Sequence, residues 1–184
     1  MTRTIGRVTD ASGGAARLRL LYLAAAASVA LLDQITKSLI AARIPLHGTL
    51  RVIPGFFDLT HLKNPGAAFS LFADGAGPGR SLLLTGTTVV VLCGVLVYAF
   101  RAPVQDAVLQ TALSLISGGA VGNLVDRLRD GSVTDFLRFY VGTHEWPSFN
   151  VADSAITCGV ALLAWDLFHH PDPGKSGSAG RSAA

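Results

Sequence analysis

Charge is scarce in this chain. Lys, Arg, Asp and Glu make up 15% of its 184 residues and half of the residues are hydrophobic, where a soluble domain carries about 25% charge. Mean hydropathy is +0.47. That balance excludes an ordinary soluble domain and favours a bilayer. The net charge of +3 is small and the basic residues are scattered, so there is no stripe for nucleic acid. Cysteine is nearly absent. Cys93 and Cys158 lie inside apolar runs with no CxxC or Cys/His spacing, which argues against a disulfide or a metal site and predicts buried spectator thiols. His47, His61, His144, His169 and His170 show no zinc-type spacing, and no internal repeat is visible.

Long apolar runs are abundant. A membrane helix needs roughly 20 mainly apolar residues, and four segments qualify: 18–42, 81–100, 104–125 and 151–168. The first is interrupted only by Asp33 and Lys37, and the second carries no charge. Only "RAP" (101–103) separates the second from the third, short enough for an antiparallel hairpin. The first segment imitates a cleaved signal peptide, but its apolar pattern resumes beyond Asp33 and is too long for one, so an uncleaved anchor is expected.

The expected architecture is an all-α membrane protein with four transmembrane helices and a small extracytoplasmic β-containing loop region. Basic residues divide evenly between the two sides. Arg3, Arg7, Arg17 and Arg19 before the first helix, against Asp10 alone, place both termini in the cytoplasm. Residues 1–16 and 171–184 read as disordered tails around a single domain at 17–170. The outer loop 43–80 contains "LRVIPGFFDLTHLKN", rich in β-branched and aromatic residues and suited to a small sheet with Phe56 and Phe57 at headgroup level, or equally to a partly buried loop packed on the helices.

Polar residues concentrate at the outer ends of the helices. A charge inside lipid costs about 2.5–3.5 kcal/mol on insertion scales, so it persists with a partner or a task. In "GGAVGNLVDRLRDG", Asn123 and Arg127 share a helical face and Asp126 lies on the neighbouring stripe, while Gly118, Gly119 and Gly122 let another backbone come close. Asn64-Pro65-Gly66 is turn chemistry, and its amide could either close the turn or bind an extended peptide. Asp33 and Lys37 are spaced for an intrahelical pair, with Lys37 expected to snorkel outward. "DGSVTDF" predicts a glycine turn and a short extended segment ending at Asp135, followed by an interfacial aromatic belt with Tyr140 and Trp146. Asn150 is a natural N-cap for the last helix, and Asp153 three residues on faces the positive end of its dipole.

Each motif alone has an ordinary structural explanation. Together they place Asp135, Asp153, Asn64, Asn123, Asn150 and Arg127 near one depth. No serine, cysteine or lysine has a base set beside it by an obvious motif. What remains is a carboxylate pair: two aspartates in a low-dielectric site cannot both ionise, so they share a proton and can work as acid and base on a peptide bond. A transporter or channel using Asp33, Asp135 and Asp153 as an ion path is the second reading, opposed by the clustering of the acids at one face. A non-catalytic scaffold is the third.

"DQITK" (33–37), "NPGAAFS" (64–70), "GNLVDR" (122–127), "SVTDF" (132–136) and "FNVADSA" (149–155) occur in that order. In these motifs, over residues 18 to 168, the sequence resembles lipoprotein signal peptidase, also called signal peptidase II. The resemblance implies a bacterial inner-membrane aspartyl endopeptidase with an outward-facing site. It would cleave a prolipoprotein just before its diacylglyceryl-modified cysteine, working as a monomer among membrane lipids with no metal or other cofactor. It implies that Asp135 and Asp153 form the dyad, that Asn64, Asn123 and Arg127 face the substrate, and that Asn150 joins them in supporting the site. Asp33, Lys37, Gly66, Asp126 and Ala152 are assigned to structural support. Thr134 stands where the family commonly has an aliphatic residue.

Overall fold

The computed structural model describes residues 5–66 and 78–169. Eight elements follow in chain order: α1 (Ile5–Arg43), β1 (Thr49–Ile53), β2 (Phe57–Asn64), α2 (Pro78–Arg101), α3 (Ala107–Asp130), β3 (Val133–Val141), β4 (His144–Glu145) and α4 (Val151–His169). All four helices are long and apolar enough to cross a membrane, as expected from the sequence.

The boundaries differ in instructive ways. α1 begins at Ile5, so the part of the expected N-terminal tail from there to Ala16 continues the helix. Once a helix is nucleated, each added residue gains a hydrogen bond at little cost. α3 starts at Ala107 instead of Val104 because Asp106 is its N-cap, accepting from the Leu109 amide at 3.1 Å. It runs on through the charged "DRLRD" until Gly131, whose φ of 69° lets its backbone N–H donate a hydrogen bond to the Arg127 carbonyl and close the end. The C-terminal tail expected at 171–184 lies outside the described residues.

α3 is the central helix, with α1, α2 and α4 packed around it. Its glycines set the closeness of that packing. A Cβ on Gly119 would stand 2.4 Å from the Ala152 carbonyl oxygen, and one on Gly118 would stand 2.5 Å from that of Ala26. The close neighbours of these glycines are therefore helix backbones. The outward faces carry exposed Leu82, Leu83, Val90, Leu167 and Phe168, the surface a lipid-facing helix presents. Cys93 and Cys158 are exposed on these faces, contrary to the expectation of buried thiols. Lipid tails are as apolar as a protein core, so an apolar run does not distinguish an inward from an outward side chain.

Above the Asp130 end of α3, the four strands form an antiparallel sheet in the order β1-β2-β3-β4. The loop sheet read from "LRVIPGFFDLTHLKN" is present as β1 and β2, joined across Pro54 and Gly55, where φ is 81°. The third strand is longer than expected: it passes through Asp135 and reaches Val141. Residues read as a loose aromatic belt instead pair with β2, as Phe57 with Phe139 and Asp58 with Arg138. Phe57 and Phe149 stack on Phe139 with centroids 4.7 and 5.9 Å away. Trp146 remains largely exposed, whereas the Tyr140 hydroxyl donates to Asp58 at 3.3 Å. Ile40, Ile44 and Phe136 form the apolar contact that fixes the sheet to the end of α1.

Candidate active site

Asp153 is delivered by the start of α4. The Asn150 side-chain oxygen accepts from the Asp153 amide at 2.9 Å, and Asp153 Oδ2 accepts from the Asn150 amide at 3.2 Å. This is a reciprocal capping box with Asp in the third helical position. The expected N-cap is present, and it fixes the rotamer of the acid. The other oxygen, Asp153 Oδ1, accepts from Asn123 Nδ2 at 2.7 Å.

Asp135 arrives from β3, where it pairs with Leu62 of β2 beside an irregularity in the register. Its Oδ1 accepts from Asn150 Nδ2 at 2.9 Å and its Oδ2 from Asn64 Nδ2 at 2.8 Å. Asn64 is aimed by its own turn: the Gly66 amide donates to Asn64 Oδ1 at 2.8 Å, and Gly66 has a φ of 96° that favours glycine. The rest of that motif, residues 67–70, lies outside the described residues. Asn150 therefore holds both acids, Asp135 through its side chain and Asp153 through its backbone. Every carboxylate oxygen of the two receives an N–H donor.

Burial pushes the Asp135 carboxyl up to about 6, with the nearby negative charge of Asp153 adding to the rise and the Asn64 and Asn150 amides opposing it. The first cause is desolvation: the residue is only 3% exposed. Arg127, on α3, is half-buried and its guanidinium interacts with Asp153, Asp135 and Asp126.

Beneath this pair lies a buried ionic cluster. Lys37 Nζ is 2.8 Å from Asp33 Oδ2, 3.1 Å from Asp126 Oδ2 and 3.0 Å from Asn123 Oδ1. The intrahelical pair with Asp33 forms as expected, but Lys37 does not snorkel: it is 3% exposed and turned into the bundle. Two carboxylates and an amide oxygen within reach satisfy all three ammonium protons there. Asp33 Oδ1 also accepts from the Ala152 amide at 2.9 Å, tying α1 to the start of α4. Asp126 Oδ2 accepts from the Thr134 amide at 2.9 Å, tying α3 to the strand that carries Asp135. Gly122 makes room for this, since a Cβ there would lie 2.6 Å from Asp33 Oδ2.

The structure thus gathers Asp135, Asp153, Asn64, Asn123, Asn150 and Arg127 at one end of the bundle. It sets Asp33, Lys37, Gly66, Asp126 and Ala152 against them. Two contributors were not singled out from sequence. Gln34 donates to Asp126 Oδ1 at 2.8 Å and to the Gly122 carbonyl at 3.0 Å; it stands inside the "DQITK" motif. The Thr134 carbonyl accepts from Asn150 Nδ2 at 3.2 Å, a backbone role that no side-chain pattern announces. Among the described residues, no three His, Cys, Asp or Glu are grouped to hold a metal.

Comparison with known proteins gives the family and the fold. The family model described as signal peptidase (SPase) II matches residues 25–169. The chain is 44% identical to the lipoprotein signal peptidase of Syntrophus aciditrophicus (strain SB) over 80% of its own length and 92% of that protein. It is also 44% identical to the lipoprotein signal peptidase of Azoarcus sp. (strain BH72), over 83% of this chain and 88% of the other. Among solved structures, a bacterial membrane enzyme determined by the in meso method superposes with a TM-score of 0.69 at 31% identity. That alignment covers 82% of this chain and 94% of the other.

Proposed function

The chain belongs to the signal peptidase II family of aspartic-type membrane peptidases, and from that premise we propose that Asp135 and Asp153 are its catalytic pair. The substrate is a prolipoprotein, cut on the amino side of its diacylglyceryl-modified cysteine. The observation that carries this reading is Asn150: one residue binds both carboxylates, at 2.9 and 3.2 Å, although they come from a strand and a helix.

The pair shares one proton because two buried carboxylates held by the same asparagine do not both ionise. The ionised member takes a proton from water as the hydroxyl adds to the scissile carbonyl carbon, while the protonated member donates to the carbonyl oxygen. On collapse, the first acid gives its proton to the leaving nitrogen and the second regains one from the diol. Arg127 and the Asn64 amide stand where developing negative charge and an extended peptide backbone need partners. The site lies at one end of apolar helices, so a lipid-modified cysteine can enter sideways with its acyl chains still in the bilayer. With both termini cytoplasmic, that end faces outward.

The test is cleavage of a diacylglyceryl-modified prolipoprotein by purified protein. Asp135→Asn and Asp153→Asn, checked for folding by thermal unfolding, are each expected to lose on the order of 100-fold or more in kcat, the scale of a positioned acid or base. Retention of most activity by either variant removes the pair from the chemistry.

A further inference from the structure

The two acids are not equivalent in their surroundings, and the difference leads to Lys37. Asp153 receives a backbone amide at the positive end of α4 and the side-chain amide of Asn123. Asp135 lies on a strand and receives two neutral side-chain amides, from Asn64 and Asn150. The Asn123 carbonyl oxygen accepts from Lys37 Nζ at 3.0 Å and from Asn150 Nδ2 at 3.2 Å. Those two donors leave Asn123 a single orientation, with its NH2 turned to Asp153. A cation on the oxygen side of an amide also strengthens the donor on its other side.

Building on the catalytic reading above, we propose that Lys37 is a positioning residue: acting through Asn123, it keeps the negative charge of the pair on Asp153 and leaves the shared proton on Asp135. Asp153 is then the base that takes the proton from water, and Asp135 the acid that donates to the carbonyl oxygen. The other charged groups nearby are largely paired among themselves. From α1, Asp33 is neutralised by Lys37 at 2.8 Å, and from α3, Asp126 is held by Lys37 at 3.1 Å with Arg129 at 3.9 Å. The Arg127 guanidinium lies within electrostatic reach of both Asp153 and Asp135. Lys37 makes no hydrogen bond or ion pair with either carboxylate of the pair; beyond the field its charge exerts on both, it aims and polarises Asn123, the amide that links it to Asp153.

The experiment measures kcat, KM and the pH profile of kcat/KM for two variants in lipid nanodiscs. Lys37→Met removes the cation. Lys37→Met with Asp33→Asn removes it together with one of its counter-charges, so that the buried charge balance is kept. An opposite charge nearby favours an ionised carboxylate, so its loss is expected to move the acid limb of the profile upward by about half a pH unit or more. A fall in kcat of about tenfold with KM within a factor of two to three is expected beside it, the pattern of an interaction used in the transition state. An acid limb unchanged from wild type, with lost activity matched by lost folded protein, assigns Lys37 to structure alone and overturns the proposal. Failure of both variants to fold does the same. Neither outcome touches the catalytic reading, which stands or falls on the aspartate variants.

Discussion

The two ends of α3 are held by different physics. Near Ala107 the helix packs through Leu109 and Leu113 against Ala102, Val95, Ala99 and Leu163, with Gly159 of α4 pressed close to the Ala112 carbonyl. Gln110 there donates to the Ala99 carbonyl at 3.0 Å. Near Asp130, the same helix is held by Asn123 and Asp126, the second wholly buried and tied to Lys37, Gln34 and the Thr134 amide. In lipid there is little hydrophobic drive to bring helices together, because the alternative to a partner helix is another apolar phase. Close apolar packing, with the amide of Gln110 as its polar contact, serves the first end. The second commits to specific partners, and a network of that kind fixes a unique arrangement only when every member is satisfied. The acids proposed to carry the chemistry are mounted on the end where position is specified most strictly.

The largest expected effect breaks the polar end. Asp126→Ala leaves Lys37 with one carboxylate fewer and the Thr134 amide without its acceptor. Breaking a buried ion pair by removing one partner costs about 3–5 kcal/mol, so thermal unfolding in nanodiscs is expected to show a severe loss of stability. Activity is expected to fall further than stability explains, since Asp126 anchors the strand carrying Asp135. A mild, uniform loss would mean that the cluster is replaceable.

A smaller effect sharpens the contrast within the site. Asp135, pushed up to about 6, binds a proton more readily folded than unfolded, where a free aspartate titrates near 3.9. Its charge costs stability above pH 6, and the cost is relieved as pH falls through 6 towards 4. Compared with Asp135→Asn, the wild type is therefore expected to gain about 2–3 kcal/mol between pH 8 and pH 4. Denaturation curves for both proteins across that range measure the difference, in which groups remote from the pair cancel. A difference independent of pH would remove the perturbed carboxyl from the account.

The smallest effect belongs to the apolar end. Leu113→Ala opens a cavity between helices, but the lost side chain is exchanged between protein and lipid, not protein and water. The transfer contribution largely drops out and a cavity cost of about 1–2 kcal/mol is left. Catalysis is expected to stay within a factor of two to three of wild type.

The same division explains how far the sequence could be read. Helices were legible because 20 apolar residues in a row leave few alternatives, and the hairpin of β1 and β2 because β-branched and aromatic residues flank Pro54-Gly55. The place of Asp153 was legible from local spacing, since Asn150-x-x-Asp153 is a cap that forms within one turn. Asp135 was marked by having no such local role. Lys37 misled because an Asp33–Lys37 pair looks the same on an exposed face as in a core. Only the arrival of Asn123 and Asp126 from 86 and 89 positions along the chain distinguishes them. Gln34 and the Thr134 backbone escaped for the same reason, as their partners are remote. The sequence alone does not carry β3 past Asp135, because "RFYV" suits a membrane interface and a sheet equally well, and its pairing with β2 decides between them.

Whether Asp135 and Asp153 act as one unit is tested directly by a three-variant cycle. Initial cleavage rates of a diacylglyceryl prolipoprotein are compared for Asp135→Asn, Asp153→Asn and the two combined, each normalised to folded protein. Groups that share one task lose nearly everything with the first removal, so the double variant is expected to be no slower than either single one. Losses that multiply, or a single variant that keeps a substantial share of the wild-type rate, would contradict it.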